Sequence, residues 1–346
     1  MVKEMDLTGH LLYIDITQIC GIGCNFCMYA DKHQSGVSMV LSDKARANLR
    51  TLINASSVKR ISVSGEGEPL NNVKVFHEIL SLSEGGRSFE FITSGFLPHP
   101  QLSAFYDKTN TLARTNGDTC NIRLSSDSYH LDKVKHRAHG FSARYWFERR
   151  PDALQFSFRS VDTDRAFTRS FLFDDFALNG LDARLIQGTA LQDALVVAEV
   201  TFGIEYKNHV HPYNLLPGHY LDLYAYIEAI EARYEKPFTL GSLNHGIASN
   251  GMDVTIKPNG DVHFYGAETA ALGNIHIDEI SWDVLATRLR SDALARTLYT
   301  VPFIELIYRI KDDPVGRNAI RRANNPYWLI KELAANRELL NKMVAA

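Results

Sequence analysis

Six short runs rich in β-branched and aromatic residues, at 11–17, 59–65, 88–95, 121–127, 153–160 and 196–206, alternate with helix-period segments. That alternation excludes most architectures. The segment 41–54 has Ser42 or Asp43 as its N-cap, 72–86 is closed by Gly85 and Gly86, and 101–113 repeats its apolar residues at helical spacing. Strands separated by helices cannot be joined by tight hairpins, so they must run parallel with crossover helices. The expected class is α/β, either an open doubly wound sheet or a full or partial β/α barrel. With 346 residues, 45% of them hydrophobic, the chain has enough apolar material for such a core. The last third changes character: 217–235, 281–299 and 325–343 read as helices, and 251–266 reads as a hairpin turning at Asn259-Gly260.

The chemically distinctive residues follow the strands. Cys20, Cys24 and Cys27 come after the first, Gly65-Glu66-Gly67-Glu68-Pro69 after the second and Thr93-Ser94-Gly95 after the third. Ser125 and Asp127 end the fourth, Arg159 the fifth, and Glu205-Tyr206-Lys207 the sixth. The C-terminal edge of a β/α sheet is where ligands bind, so one edge collects these groups. Three thiols within eight positions suit several chemistries. A structural zinc needs a fourth ligand, for which His33 is available, and a redox disulfide needs only Cys24 and Cys27. An iron–sulfur cube held by three cysteines leaves one iron open to a substrate or cofactor.

The spacing Cys20-x3-Cys24-x2-Cys27, with Phe26 before the last cysteine, resembles the signature of radical S-adenosylmethionine (SAM) enzymes, and the resemblance extends in order and spacing over roughly residues 11–207. It implies a partial (β/α)6 TIM-like barrel over 1–210. It also implies a [4Fe–4S] cluster on Cys20, Cys24 and Cys27, with SAM chelated at the open iron and cleaved to a 5′-deoxyadenosyl radical. An electron donor such as flavodoxin or ferredoxin is implied as a partner. Gly65, Gly67, Glu68 and Pro69, beginning 38 residues after Cys27, are similar to the family's loop that meets the methionine ammonium. Glu68 is the preferred carboxylate and Glu66 its rival. Ser94, Ser125 and Asp127 are expected near SAM, with His130 in the same shell, and Arg159 is expected to pair with the SAM carboxylate. The stretch 254–289 resembles the SPASM and twitch extensions of that family, but no cysteine follows Cys120, so residues 211–346 are expected to form an α+β extension without an auxiliary cluster.

Glu205, Tyr206, Lys207 and Tyr265 are the expected substrate contacts. Cys120 lies five residues before Ser125, on the wrong side of the strand's length for a hydrogen donor at the active edge, and is read as a small buried residue. His209 and His211 are read as loop residues, and the basic aromatic run 132–150 as a solvated helix face rather than an anion site. A net charge of −3 gives no field strong enough to imply nucleic acid or a membrane surface as partner. Four cysteines do not make a disulfide framework, and the absence of a signal-like start or a long apolar run places the chain in the cytoplasm. The expected activity is redox-neutral epimerisation, dehydration or decarboxylation of a small polar metabolite such as a sugar, aminoglycoside or nucleoside. A peptide-maturation enzyme, a glycyl-radical activase and a non-enzymatic electron carrier or structural metal protein are the alternatives.

Overall fold

The computed structural model describes residues 7–24, 27, 29, 36–58, 60–189, 191–207, 222–240, 251–264, 267–268, 271–323 and 325–345. The elements in chain order begin β1 (Gly9–Asp15), α1 (Asp43–Ile53), β2 (Arg60–Ser64), α2 (Val73–Leu80), β3 (Ser88–Thr93), α3 (His99–Asn116) and β4 (Thr119–Ser125). Then come α4 (Ser128–Leu131), α5 (His139–Arg149), β5 (Leu154–Val161), α6 (Arg165–Leu178), β6 (Ala183–Gln187), β7 (Gln192–Val197) and β8 (Val200–Lys207). The remainder is α7 (Leu223–Tyr234), β9 (Met252–Ile256), β10 (Asp261–Phe264), β11 (Ala271–Asn274), α8 (Trp282–Ser291), α9 (Ala293–Thr300), α10 (Phe303–Ile310), α11 (Pro314–Arg322), α12 (Pro326–Ala334) and α13 (Arg337–Val344). These divide into two compact units, one of residues 14–40 and 60–209, the other of residues 1–13, 41–59 and 210–346.

In the unit of residues 14–40 and 60–209, β2, β3, β4, β5 and β8 lie side by side in parallel, and β7 and β6 continue the sheet antiparallel. The sheet does not close, as a partial β/α barrel requires. Strand alternation sorts its two faces. Ile61, Val63, Phe89, Phe91, Cys120, Ile122, Leu124, Phe156, Phe158, Phe202 and Ile204 are all buried on one face. Rings from the helices pack there: Phe76 of α2 lies 4.5 Å from Phe91, Phe105 of α3 lies 4.9 Å from Phe91, and Phe176 of α6 lies 5.5 Å from Phe202. The other face is polar, carrying Ser62, Glu90, Asn121, Arg123, Ser125, Ser157, Arg159, Glu205 and Lys207 in register.

The other unit is held by polar clasps as well as its core. Asn48 of α1 donates to the carbonyls of Ile275 and Asp278 at 2.7 and 2.9 Å and accepts from Ile280 N, while Trp282 donates to Leu52 O. Asp253 on β9 accepts from Leu11 N at 3.1 Å. The β9–β10 hairpin turns through Asn259 and Gly260, the glycine at φ +90° where a side chain would be strained.

Several elements depart from the sequence expectation. The run 196–206 is not one strand but the β7–β8 hairpin, which turns at Ala198-Glu199 with Ala198 at φ +50° and no glycine or asparagine to announce it. Segment 72–86 stops at Leu80, so Gly85 and Gly86 shape the following loop rather than the helix end. Segment 281–299 is two helices, because Asp292 ends α8 and its carboxylate accepts from Ala295 N to start α9. Asn336 likewise splits 325–343 by capping α13. Helices α10 and α11 occupy a stretch with no sequence assignment. No helix of the described residues is long and apolar enough to cross a membrane.

Candidate functional site

The site begins where β1 ends. Ile16 N donates to Ser64 O, and a narrow two-sided ladder follows, with Gln18 N on Val37 O, Met39 N on Ile16 O, and the Thr17 and Ser38 hydroxyls 2.7 Å apart. This fixes the stem from which Cys20 departs. The Gly65–Pro69 loop is stapled to the same stem: Gly67 N donates to Thr17 O at 2.9 Å and Glu68 N to Ile19 O at 3.0 Å. A Cβ on Gly67 would collide with the Ile19 carbonyl oxygen, so glycine is required for the two backbones to approach this closely.

Glu68 and Pro69 start a short 3-10 turn, the proline at its first position and the glutamate as its cap. The Glu68 carboxylate, 4% exposed, accepts four hydrogen bonds, from Leu70 N, the Thr93 hydroxyl, Ser94 N and the Ser94 hydroxyl. Two fall on each oxygen, which fills the acceptor positions of a carboxylate. Glu68 therefore ties the loop after β2 to the end of β3, and Ser94 serves that tie. Glu66, also buried, accepts from the Gln18 amide at 2.6 Å.

Cys20, Cys24 and Cys27 are half-buried and in no disulfide, and Cys27 N bonds Cys24 O. Burial, with the Glu68 carboxylate and Cys24 nearby, pushes the Cys20 thiol above its ordinary pKa. Among the described residues, no three His, Cys, Asp or Glu side chains are gathered tightly enough to hold a single metal ion.

At the end of β4, Asp127 caps α4 through His130 N and pairs with His130 Nδ1 at 2.8 Å. Burial opposes charge on this imidazole. The Asp127 carboxylate and the Cys24 thiol within its hydrogen-bonding reach nonetheless hold its pKa well above the ordinary value. The sequence placed His130 near SAM, but its link to Cys24 joins residues 106 positions apart and carries no local signal.

The polar face of the sheet carries a ladder of charges. Arg60 reaches Glu90 at 3.2 Å, Glu90 reaches Arg123 at 2.9 Å, Arg123 reaches Glu205 at 3.1 Å, and Glu205 reaches Arg159 at 2.9 Å. Burial alone would raise the Glu205 pKa, but Arg159 and Arg123 hold it near 2. Arg159 is thus engaged with Glu205. Arg60, Glu90 and Arg123 were missed from the sequence, because single charges inside strands look like surface residues until the register aligns them.

Of the expected substrate contacts, Glu205 and Lys207 share this polar face. Tyr206 does not: alternation turns it to the helix-packed side, where its hydroxyl donates to Asp193 and Arg165 lies over its ring. Ser125 sits on the polar face beside Arg159. Cys120 is fully buried on the opposite, helix-packed face. The basic run 132–150 includes α5, which buries His139, Ser142, Ala143 and Tyr145 and pairs Arg144 with Glu148 on its outer side. Phe26, His33, His209, His211 and Tyr265 lie outside the described residues.

No protein-family profile matches the chain, and no curated protein matches it. Among solved structures it is similar to tagged anSMEcpe with bound AdoMet, at 14% identity and TM-score 0.49 over 96% of this chain and 98% of that one. Native anSMEcpe with bound AdoMet and Cp18Cys peptide follows at 14% identity and TM-score 0.47, covering 97% and 99% of the two chains. BtrN in complex with AdoMet and 2-DOIA gives 12% identity and TM-score 0.43, covering 86% and 89%. At these values the likeness assigns neither activity nor substrate to this chain.

Proposed function

We propose that this chain is a radical SAM enzyme acting on a small polar metabolite. The observation that carries the reading is the joining of the Cys20–Cys27 stem to the Gly65–Pro69 loop by the Gly67 and Glu68 amides, which sets three unbridged thiols beside a loop of the family's composition. A pure electron carrier has no use for such a loop. Cys20, Cys24 and Cys27 would hold the [4Fe–4S] cluster, which with SAM bound would supply one-electron reductive cleavage of the C5′–sulfur bond and so the means of taking a hydrogen atom from the substrate. The chain's own residues do the positioning. Glu68, saturated by its four bonds, holds the loop rigid. The loop's backbone and Glu66 would then face the methionine ammonium. His130 and Asp127 steady Cys24, and Ser125, at the end of β4 beside Arg159, would face SAM. Glu205 and Lys207 would meet the substrate on the polar face. The 211–346 segment, with no cysteine, fits an enzyme of one cluster and redox-neutral outcome, with flavodoxin or ferredoxin as electron donor.

The test is to incubate the reduced, reconstituted protein with SAM and deuterated candidate metabolites and to follow label into 5′-deoxyadenosine. Label from a sugar or nucleoside carbon is the expected result. Label arriving only from a peptide α-carbon or a protein glycine would replace this substrate reading by peptide maturation or activase chemistry.

A further inference from the structure

The polar face of the sheet carries more positive charge than its own carboxylates balance. Four cationic side chains, Arg60, Arg123, Arg159 and Lys207, share it with Glu90 and Glu205. Arg123 is 3% exposed, and its Nη1 is divided between Glu90 and Glu205. The Nε of Arg123 and the Nε of Arg159 are both buried and find no acceptor among the described residues. Buried donors without partners are rare in folded proteins, and a bound ion or water is one of the causes that account for them. Lys207 stands two positions beyond Glu205 on the same face, toward the C-terminal edge, and its ammonium has no ion-pair partner among the described residues.

We propose that Arg123, Arg159 and Lys207 form a receptor for an oxyanion group of the substrate, a carboxylate or a phosphate. Glu205 bridges the two guanidinium groups and so holds them side by side, leaving their Nε donors and the lysine unspent. Guanidinium forks suit planar carboxylate and phosphate oxygens, and an ammonium adds a mobile point charge at the rim. The titration of Lys207 agrees. Burial, then Arg159 and Arg123, push its pKa well below the ordinary lysine value against the opposing pull of Glu205 and Glu90, a strain that an arriving anion relieves. The inference deepens the proposed function and rests on it for identifying the anion as part of the substrate.

The experiment titrates the reconstituted protein with inorganic phosphate and, separately, with acetate, at ionic strength held constant with chloride, with and without saturating SAM. Saturable binding that persists with SAM and weakens about tenfold or more in both Lys207→Gln and Arg159→Gln is expected, while Lys207→Arg retains it. The tighter of the two probes identifies the substrate's anion. Thermal unfolding of each variant confirms that it folds, and Lys207→Gln, changed at a half-buried rim position, keeps the test open if Arg159→Gln unfolds. No saturable binding, or binding in both variants as tight as in the unaltered protein, overturns the proposal. Binding that SAM abolishes also overturns it, by giving Arg159 to the SAM carboxylate. Phosphate binding by a protein without affinity for SAM would support the receptor and refute the radical SAM reading.

Discussion

Glu68 is fully engaged without a ligand. Its buried carboxylate satisfies Leu70 N, Ser94 N and the hydroxyls of Thr93 and Ser94. Glu68→Ala strands these donors, and each unsatisfied buried group costs about 1–3 kcal/mol. Urea unfolding is expected to show a loss of about 3 kcal/mol, and SAM affinity to fall while iron content stays unchanged. Loss of the iron with SAM affinity intact would reverse the assignment of the loop. Gly67→Ala acts differently, because the added methyl meets the carbonyl of Ile19, the residue immediately before Cys20 at the start of the cysteine loop. Overpacking of this kind costs about 1–3 kcal/mol, and here iron retention after reconstitution is expected to drop. The cysteines and the Gly65–Pro69 loop were legible because their spacing is local. The anchoring of Glu68 was not, since its partners Thr93 and Ser94 lie 25 and 26 positions away and appear only when β2 and β3 pair.

Strand alternation explains what the sheet offers and what it hides. One face of β2, β3, β4, β5 and β8 meets helices, and the other carries the ladder from Arg60 to Arg159. Arg123→Leu removes the cation shared by Glu90 and Glu205 and leaves Glu90 buried, so chemical denaturation is expected to show a loss of about 3–5 kcal/mol. Adding Glu90→Gln to that variant is expected to recover part of the loss. The pH dependence follows the same ladder. With the folded pKa of Glu205 near 2, below its unfolded value, its stabilisation is present above the unfolded carboxylate range. It is lost as pH falls from that range toward 2, and Glu205→Gln is expected to flatten this part of an acid-unfolding curve. Parallel strands with crossover helices were legible from the period of the apolar residues. The β7–β8 hairpin was not, because the turn at Ala198-Glu199 uses residues that give no turn signal. The breaks at Asp292 and Asn336 were missed because a capping side chain inside an amphipathic run leaves the helical period intact.

The chain as a whole divides its labour unevenly. Every described residue given a role in the reaction lies within 14–40 and 60–209, while the unit of 1–13, 41–59 and 210–346 is built from the β9–β11 strands and helices fastened through Asn48, Asp253 and Trp282. The order of the site along the chain was readable because each group follows a strand. Its inner charge was not, because that depends on register among five strands. The proposed chemistry depends on the metal centre. Anaerobic reconstitution, with iron and sulfide measured per chain and the spin-resonance spectrum of the reduced protein recorded before and after SAM, tests it most directly. The prediction is about four irons and four sulfides per chain, lost when Cys20, Cys24 and Cys27 are replaced by Ala, with a spectrum that shifts when SAM is added. A colourless zinc protein, a cluster that survives the triple replacement, or a spectrum indifferent to SAM would contradict it.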